Sequence, residues 1–375
     1  MSLLIKNATV FDGSAFVNGL SLRVNRGIIT EVWNELKSMP GEEVLDLQED
    51  YLLPGFVDVH IHAFHGADTM QGEAAVRSMS RELRKIGIAA FCPTTMSASI
   101  EDTQRAIDGI RAVMDSPEPK GAHVLGVHME APFLNMGMAG AQRKAFLMNP
   151  EWNAFLRMTS GHLNAVRIVT LAPELEGSKA FIRQAVAAGI HVSIGHTDAS
   201  AEIVHKAADW GAKHVTHTFN AQSALHHRLP GVPGAVLTDD RFYCEVICDG
   251  VHLHSDIIRL ISRCKGTRAI AVTDAMEAAG MPDGEYTLGG QKVFVQDRQA
   301  RLSNGRLAGS VLTMPQALDN LIHVFKLESA VACAMCTSSP ASSLDDLLYG
   351  RIAPGSPTPL TRWSRDWHLM QVIDD

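Results

Sequence analysis

From residue 56 onward, short apolar runs typical of β-strands alternate with longer stretches whose apolar residues follow helical spacing. Eight strand-like runs occur, at residues 56–62, 89–94, 123–130, 166–171, 191–195, 214–218, 242–248 and 269–273. Helix-like segments lie between them, among others at residues 73–86, 100–114, 178–188, 201–210 and 255–263. Because repeated strand–helix units build a parallel sheet, they predict an α/β fold, a (β/α)8 TIM barrel. A doubly wound sheet is the alternative, although it would not usually need eight such strands.

The two ends of the chain lack this alternation. Residues 3–8, 19–24, 28–32 and 44–47 are short strand-like runs between turn signals, and a Pro-rich stretch leads into a last one at 367–373. We therefore expect a small β-sandwich domain built from both termini, residues 1–52 plus 345–375, beside a barrel domain of residues 53–344. After the eighth barrel strand, a β-hairpin at 286–302 and a closing helix within 309–326 are expected.

Composition excludes several classes of protein. The chain has 375 residues and a formal net charge of −8, and its Lys and Arg residues form no basic run, so a nucleic-acid partner is not expected. No apolar run approaches the ~18 residues of a membrane span, and the first residues have no signal-peptide pattern. Six cysteines in so long a chain are no disulfide framework, and Cys333 and Cys336 lie in a segment typical of a buried helix. We expect a cytoplasmic protein with no membrane partner.

Two histidines end the first predicted barrel strand. His60 and His62 are two residues apart, so their side chains point to the same face of the strand. Imidazole is the commonest metal-ligating side chain near neutral pH. The pair alone is explained equally well as two unconnected polar residues. It therefore predicts a metal site only if other strand ends supply further ligands.

Other strand ends do carry suitable groups. In a barrel of this kind the functional residues lie at the C-terminal ends of the strands. There the sequence has Glu130, His196, His217 and Asp274. Each has a structural explanation by itself: a carboxylate can cap a helix, and an imidazole can be satisfied in the core or by a loop carbonyl. Five strands that deliver such groups to one rim instead favour a metal-dependent hydrolase.

The chemistry of this set is metal-assisted hydrolysis. Glu130, His196 and His217 offer three nitrogen or oxygen ligands and leave an open position for water, as catalytic zinc sites do. A divalent cation lowers the pKa of such a water and polarises a carbonyl oxygen. Asp274 is then placed to take a proton from the water and return it to the leaving group. The predicted cofactor is a divalent metal ion, zinc first, with iron, manganese or cobalt as alternatives that suit the same ligands.

The sequence resembles the N-acetylglucosamine-6-phosphate deacetylase family of the amidohydrolase superfamily over nearly its whole length. The segments that carry the resemblance are 54–62, 126–133, 137–142, 171–174, 195–199, 217–221, 225–228, 249–252, 272–275 and 282–290. The resemblance implies hydrolysis of N-acetylglucosamine 6-phosphate to glucosamine 6-phosphate and acetate. It also implies that Glu130, His196 and His217 hold the main metal and that Asp274 is the catalytic acid and base. Relatives that keep the strand-1 pair can hold a second metal, so His60 and His62 imply one or two ions per chain.

The resemblance further implies a phosphate-binding set and a homodimer. The positions that correspond to the family's sugar-phosphate contacts are Asn220, Ala221, Arg228 and His252. A guanidinium presents a fork of donors that fits a phosphate. In the family, the Arg and the His of this set reach into the pocket of the neighbouring chain. A small-molecule amino-sugar phosphate and a second copy of the chain are therefore the expected partners.

This chain departs from the family pattern at three positions that bear on the substrate. Ala131 replaces the usual Gly after the Glu ligand, and its Cβ would narrow the pocket. Gln142 stands where many relatives have a His that polarises the substrate carbonyl, and Gln donates a hydrogen bond but carries no charge. Leu229 replaces a Glu beside Arg228. Deacetylation of N-acetylgalactosamine 6-phosphate therefore stays an alternative, and a catalytically silent sugar-phosphate-binding homologue is a further one.

Overall fold

A computed structural model describes residues 2–374, and its centre is a nearly closed barrel of eight parallel strands. Met1 and Asp375, the outer residues of the predicted small domain, lie outside the described residues. The barrel strands, numbered 1 to 8 in chain order, are Phe56–Ile61, Ile88–Thr95, His123–Val124 with Val127–Met129, Val166–Leu171, His191–Ile194, His214–Val215, Tyr243–Ile247 and Ala269–Val272. Each pairs with the next in parallel. The predicted α/β barrel is confirmed.

Individual hydrogen bonds rather than a strand ladder join strand 8 to strand 1. The Thr273 hydroxyl donates to the Asp58 carboxylate at 2.6 Å, and the Asp274 N–H donates to the His60 carbonyl at 2.9 Å. Strand 3 is interrupted at Gly126, whose φ of +137° suits glycine but not an L side chain. The main hydrophobic core lies between these strands and the helices that surround them.

Helices cover the outside of the barrel because each presents one apolar face to it. In the helix after strand 1, Val76, Met79 and Leu83 are buried at helical spacing. Ser99 caps the next helix, since its hydroxyl accepts from the Asp102 N–H at 3.0 Å. The α-helices are Glu73–Lys85, Ile100–Asp115, Trp152–Met158, Ser178–Ala187, Ala201–Trp210, Gly231–Thr238, Ser255–Lys265, Met314–Asp319, Ser329–Cys336 and Ser338–Ser343.

The predicted closing helix is shorter than expected and changes type. It begins at Met314, after Thr313, with Pro315 in its first turn, and from Asn320 to Val324 it continues as a π-helix. Short 3-10 helices occur at Thr69–Gln71, Met136–Met138, Lys144–Phe146, Leu163–Ala165 and Gly266–Arg268. Within residues 2–374, no helix has both the length and the apolar character needed to cross a bilayer.

The chain termini together build a second, seven-stranded sheet. Its strands are Ser2–Phe11, Phe16–Asn25, Ile28–Trp33, Glu43–Asp46, Tyr51–Pro54, Leu360–Trp363 and Leu369–Ile373. The β unit from both termini is as predicted, but Tyr51–Pro54 and Leu360–Trp363 were not expected as strands. They pair with each other in antiparallel register, Pro54 opposite Leu360. Because Tyr51–Pro54 spans the expected boundary after residue 52, the division into two domains stays a prediction.

The expected hairpin after strand 8 is a three-stranded antiparallel sheet. Its strands are Gly284–Leu288, Gln291–Gln296 and Gln299–Leu302. Leu288, Val293 and Val295 share a small core with Met96 and Met276. A two-stranded ribbon, Ala63–Phe64 with Ala67–Asp68, follows strand 1. Both insertions follow strands at the C-terminal end of the barrel, and Leu288 of the three-stranded sheet lines the cavity there.

Candidate active site and metal centre

The six predicted metal and catalytic residues come together at the C-terminal ends of the barrel strands. All are buried, at most 8% exposed; they are His60, His62, Glu130, His196, His217 and Asp274. All except His60 line one cavity of about 180 Å³. Met96, Ile247 and Leu288 also line it. Five separate strands therefore deliver polar groups to one small cavity, as expected for an active site of this fold.

Glu130, His196 and His217 form the first cluster. Both imidazole Nε2 atoms lie 3.1 Å from Glu130 Oε1 and 3.1 Å from each other. The opposite nitrogens face main-chain carbonyls: His196 Nδ1 lies 2.8 Å from the Met138 oxygen and His217 Nδ1 lies 3.2 Å from the Asn220 oxygen. Because a carbonyl only accepts, each Nδ1 carries the proton and each Nε2 presents a lone pair.

Three electron pairs thus converge among buried side chains. Such an arrangement is repulsive unless a positive charge lies among the three atoms. Two imidazoles and a carboxylate are the donor set that zinc and similar divalent cations use in catalytic sites, and carbonyl-bound Nδ1–H groups orient such ligands. The residues present therefore fit a divalent metal.

His60, His62 and Asp274 form a second cluster beside the first. Asp274 Oδ1 lies 3.2 Å from His62 Nε2 and 3.5 Å from His60 Nε2. Glu130 lies between the clusters, since its Oε2 is 3.3 Å from His62 Nε2. Each of the two groups, Glu130–His196–His217 and His60–His62–Asp274, has ligand atoms close enough to hold one ion. The predicted pair on strand 1 is therefore brought to the same site as the other four residues.

Opposite charges dominate the electrostatics of these clusters. Burial alone would lower the pKa of His60, but the carboxylates of Asp274, Glu245 and Glu130 raise it to about 9. Burial alone would raise the pKa of Glu130, but His60 and then the other imidazoles hold it well below its usual value. The same balance, led by His60, lowers the pKa of Asp274. The carboxylates are thus ionised, and the site requires compensating positive charge.

Backbone strain is concentrated at these strand ends. The φ angles of His196, His217 and Asp274 are +48°, +28° and +48°, and Phe219 and Ala221 are also positive, at +78° and +50°. A non-glycine residue in this region costs on the order of 1–3 kcal/mol and is found most often at functional sites. The strands break off into these strained turns, which aim the side chains into the cavity rather than along the sheet.

Three of the predicted substrate residues line the cavity together with Gln142. They are Asn220, Ala221 and His252. His252 Nδ1 lies 2.7 Å from Asp249 Oδ2, and the Asp249 carboxylate also accepts the Val251 and His252 N–H groups. The turn around Asp249 holds the imidazole at the cavity of its own chain, and the expected reach into a neighbouring pocket stays a prediction.

Gln142 is held from both ends of its amide. Its Oε1 accepts the Ser97 N–H at 2.7 Å, and its Nε2 donates to Glu130 Oε2 at 2.5 Å. Sequence reasoning assigned Gln142 to the substrate carbonyl alone. The structure adds a contact to a candidate ligand, so one amide hydrogen holds Glu130.

Arg228 is apart from the cavity of its own chain. It is exposed and lies in the loop before the helix Gly231–Thr238, where its Nη1 is 2.7 Å from His227 Nε2. Leu229 beside it is 74% exposed. Ala131 is fully buried, but it packs with Leu134, Ala139 and Leu147 rather than lining the cavity. The expectation that its Cβ narrows the pocket is therefore wrong, because the side chain points into that apolar cluster.

Sequence reasoning missed one buried carboxylate next to the clusters. Glu245 lies in the middle of strand 7, and its Oε2 is 2.9 Å from His60 Nδ1. The only signal in the sequence was a charged residue inside the apolar run 242–248. Asp249, which holds His252, was likewise quoted only as part of a motif.

Comparison with known proteins decides the family. The model of the amidohydrolase family matches residues 51–370. N-acetylglucosamine-6-phosphate deacetylase of Lysinibacillus sphaericus is 35% identical over 357 residues, which are 95% of this chain and 92% of that protein. The chain belongs to the N-acetylglucosamine-6-phosphate deacetylase family of amidohydrolases. The resemblance stated from the sequence motifs is therefore confirmed.

Other members of the family extend the comparison. N-acetylgalactosamine-6-phosphate deacetylase of Escherichia coli O157:H7 is 30% identical, over 99% of this chain and 98% of that protein. Among solved structures, a mutant N-acetyl-D-glucosamine-6-phosphate deacetylase of Mycobacterium smegmatis, in complex with N-acetyl-D-glucosamine-6-phosphate, has a TM-score of 0.91 and 28% identity, covering 99% of this chain and 97% of that one. The barrel and terminal sheets of this deacetylase family member are thus the architecture of its solved relatives.

Proposed function

We propose that the protein hydrolyses N-acetylglucosamine 6-phosphate to glucosamine 6-phosphate and acetate. The observation that carries the proposal is the Glu130–His196–His217 cluster with Asp274 beside it in one cavity. Enzymes named for this reaction in two bacteria are 35% and 37% identical to this chain. A protein that only binds sugar phosphates needs no buried acid/base residue, so Asp274 argues against a silent homologue.

Glu130, His196 and His217 would hold the main metal, and His60, His62 and Asp274 would hold a second. A bound divalent ion would act as a Lewis acid on a carbonyl and would acidify water. The donor set suits zinc first, then iron, manganese or cobalt. The ligand assignment is supported by the converging lone pairs of the first cluster, and the metal's identity is a proposal that rests on ligand type alone.

Asp274 is assigned the proton transfers. Its ionised carboxylate can take a proton from the attacking water as the water oxygen bonds to the acetamide carbon. The same carboxyl then gives that proton to the amine nitrogen as the carbon–nitrogen bond breaks, which releases acetate and the free amino-sugar phosphate. Gln142, which lines the cavity, donates its second amide hydrogen only to the weakly accepting Met96 sulfur, 3.5 Å from Nε2, and can donate it to the developing oxyanion instead.

Acetate release tests this proposal directly. We expect the parent protein to release acetate from N-acetylglucosamine 6-phosphate, and Asp274→Asn to lose roughly 10²–10⁴-fold in kcat while it keeps the metal of the Glu130–His196–His217 cluster. The matched control is Asp198→Asn, an exposed carboxylate just beyond the cavity. Acetate release by Asp274→Asn at the parent rate would show that the assigned role is wrong.

The galactosamine epimer is the second candidate substrate. One observation favours it: a relative named for that epimer aligns over nearly its whole length. Comparing kcat/KM for the two epimeric sugar phosphates, with metal content measured on the same sample, separates the two readings. A higher kcat/KM for the galactosamine compound would replace the proposed substrate and leave the reaction type unchanged.

A homodimer that completes the site is proposed from the loop that carries Arg228. Leu225 and Leu229 are 47% and 74% exposed on either side of Arg228, an apolar surface suited to a second chain. Arg228 is then the phosphate contact for the partner's cavity. Co-expressed Arg228→Ala and Asp274→Asn chains should regain activity, because a hybrid dimer has one intact site. Asp274→Asn with Glu130→Gln is the control, since both residues serve their own chain, and equal recovery there would contradict the shared site.

A cytoplasmic location is also proposed. All six cysteines are free thiols, and five of them are buried. Free thiols without any disulfide suit a reducing compartment. Fractionation of the cells that make the protein, with acetate release as the marker, would test the location.

A further inference from the structure

Among residues 2–374, Glu245 is the one fully buried carboxylate that touches both clusters and has no role in the proposed reaction. It is 0% exposed and lies in the middle of strand 7, Tyr243–Ile247, where it points into the barrel. Its Oε2 lies 2.9 Å from His60 Nδ1. The same oxygen accepts the main-chain N–H of His217 at 3.1 Å. One carboxylate oxygen is thus bonded to a proposed ligand of each metal.

The hydrogen bond between His60 and Glu245 fixes a proton on Nδ1 of that imidazole. An ionised carboxylate only accepts, so His60 Nδ1 carries the proton and donates it to Glu245. With a divalent ion in the cluster, His60 would present the lone pair of Nε2 to it; that atom lies 3.5 Å from Asp274 Oδ1 and 3.6 Å from Glu130 Oε1. A carboxylate behind a ligating imidazole fixes its tautomer and ring orientation and raises its basicity.

The bond to His217 holds a strained turn. The φ angle of His217 is +28°, and its N–H has left the strand ladder, which ends at Val215. The neighbouring Thr218 N–H donates to the main-chain oxygen of Glu245 at 2.8 Å. Glu245 therefore bonds to two successive amides of the turn that aims His217 at Glu130.

Stability of the barrel alone gives little reason for a carboxylate here. Burying a charge is costly unless it is fully paired, and this one is paired at a single oxygen. The other oxygen, Oε1, has no hydrogen-bond partner among residues 2–374. What the carboxylate supplies is the acceptor at Oε2.

We propose that Glu245 is a positioning residue that orients His60 and His217 and thereby sets the affinity of the metal site. The inference rests on the proposed function only in that the clusters hold divalent metal; it does not depend on the substrate. It assigns strand 7 a part in the site, although that strand contributes no ligand.

Zinc affinity tests the proposal without any assay of turnover. Apo protein is titrated with zinc against a chromophoric chelator, for the parent and for Glu245→Leu, Glu245→Asp and Glu245→Gln. Glu245→Leu removes the acceptor. The affinity for the more weakly bound zinc ion should fall by about 10–100-fold. Glu245→Asp keeps the charge but withdraws it by one methylene, and it should weaken zinc in the same direction if the Leu variant fails to fold. Glu245→Gln keeps an acceptor for both N–H groups and puts its amide nitrogen at the unpartnered Oε1 position, so its affinity should stay within about 3-fold of the parent.

Asp58→Asn is the matched control for a merely structural effect. Asp58 is also fully buried on the barrel interior, but it bonds the Thr273 side chain and the main-chain N–H groups of His60 and Thr273, not an imidazole. It should lower the thermal midpoint and leave zinc affinity unchanged. The inference is overturned if the Leu and Asp variants bind zinc like the parent, or if Asp58→Asn weakens zinc as much as they do. If the expected zinc series appears but no acetate is released, the proposed function fails and the inference stands.

Discussion

Low pH should lower the stability of this protein because of His214, the first residue of strand 6, which leads to His217. His214 is fully buried, its Nε2 donates to the Ser343 carbonyl at 2.7 Å, and its Nδ1 has no partner among the described residues. Burial, and then the nearby His191 and Lys213, lower the pKa of His214 to about 3. The imidazole is therefore neutral in the folded protein at any pH above that value.

The sign and size of the effect follow from that depressed pKa. An unfolded histidine has a pKa of about 6.5, so below pH 6.5 the unfolded chain binds a proton that the folded chain does not. The contribution of His214 is complete above about pH 6.5 and is lost progressively as the pH falls toward 3. At pH 5.0 the loss is about 1.5 pH units times 1.36 kcal/mol, or roughly 2 kcal/mol. The loss at pH 5.0 is the same for any pKa of His214 in the folded protein that lies well below 5.

The assay is urea unfolding at pH 7.5 and pH 5.0 in the presence of a chelator, for the parent and for His214→Gln. Gln can keep the bond to the Ser343 carbonyl but does not titrate. The parent should lose about 2 kcal/mol more than the variant between the two pH values, at equal m-values. His162→Gln, at an exposed histidine, should behave like the parent. Equal losses in parent and His214→Gln would refute the reasoning.

Two further predictions concern other buried contacts. Gln142→Ala removes the N–H donated to Glu130 Oε2 and should weaken zinc binding by about 10-fold or more in a chelator competition. Gln142→Asn should weaken it similarly, because its side chain is too short to reach Glu130. Lys144→Ala is the control and should leave zinc binding unchanged. Arg23→Leu in the terminal sheet leaves the Glu42 carboxylate, whose side chain is 1% exposed, without the guanidinium that lowers its pKa to about 2. Arg23→Leu should cost about 3 kcal/mol of unfolding free energy, since Ser2 and the Met39 N–H still donate to Glu42. Most of that free energy should return in the double variant Arg23→Leu/Glu42→Leu. If the double variant instead loses the sum of the two single losses, the pair is not coupled.

The barrel could be predicted from the sequence because its strands are local apolar runs between helices with clear apolar faces. Strand 4 and the helix Ala201–Trp210 agree with the predicted bounds to the residue. Strand 6 is shorter than predicted, because the chain leaves the sheet after Val215 to aim His217. The strands Tyr51–Pro54 and Leu360–Trp363 were missed because they are short, contain or follow proline, and are stabilised by pairing with residues about 300 positions away.

The candidate site divides in the same way. Ligand-type residues at strand ends are recognisable once eight strands are placed, and all six meet in the structure. Glu245 could not be assigned, because only the closed barrel shows which side chains of strand 7 reach His60. The separation of Arg228 from its own cavity is equally invisible in the sequence, since it depends on how the loop after strand 6 leaves the barrel.

The structure also narrows the question of substrate choice. Three departures from the family pattern bear on the substrate, yet Ala131 packs into an apolar cluster and Leu229 does not line the cavity of its own chain. Gln142 alone lines the cavity, and it touches Glu130 as well. An uncharged amide that is already bonded to a ligand can donate one hydrogen bond to a carbonyl, whereas an imidazolium would also supply charge. Gln142 therefore affects the polarisation of the amide, which both epimers share, more directly than recognition of the sugar ring, and discrimination between epimers must come from other residues of the wall.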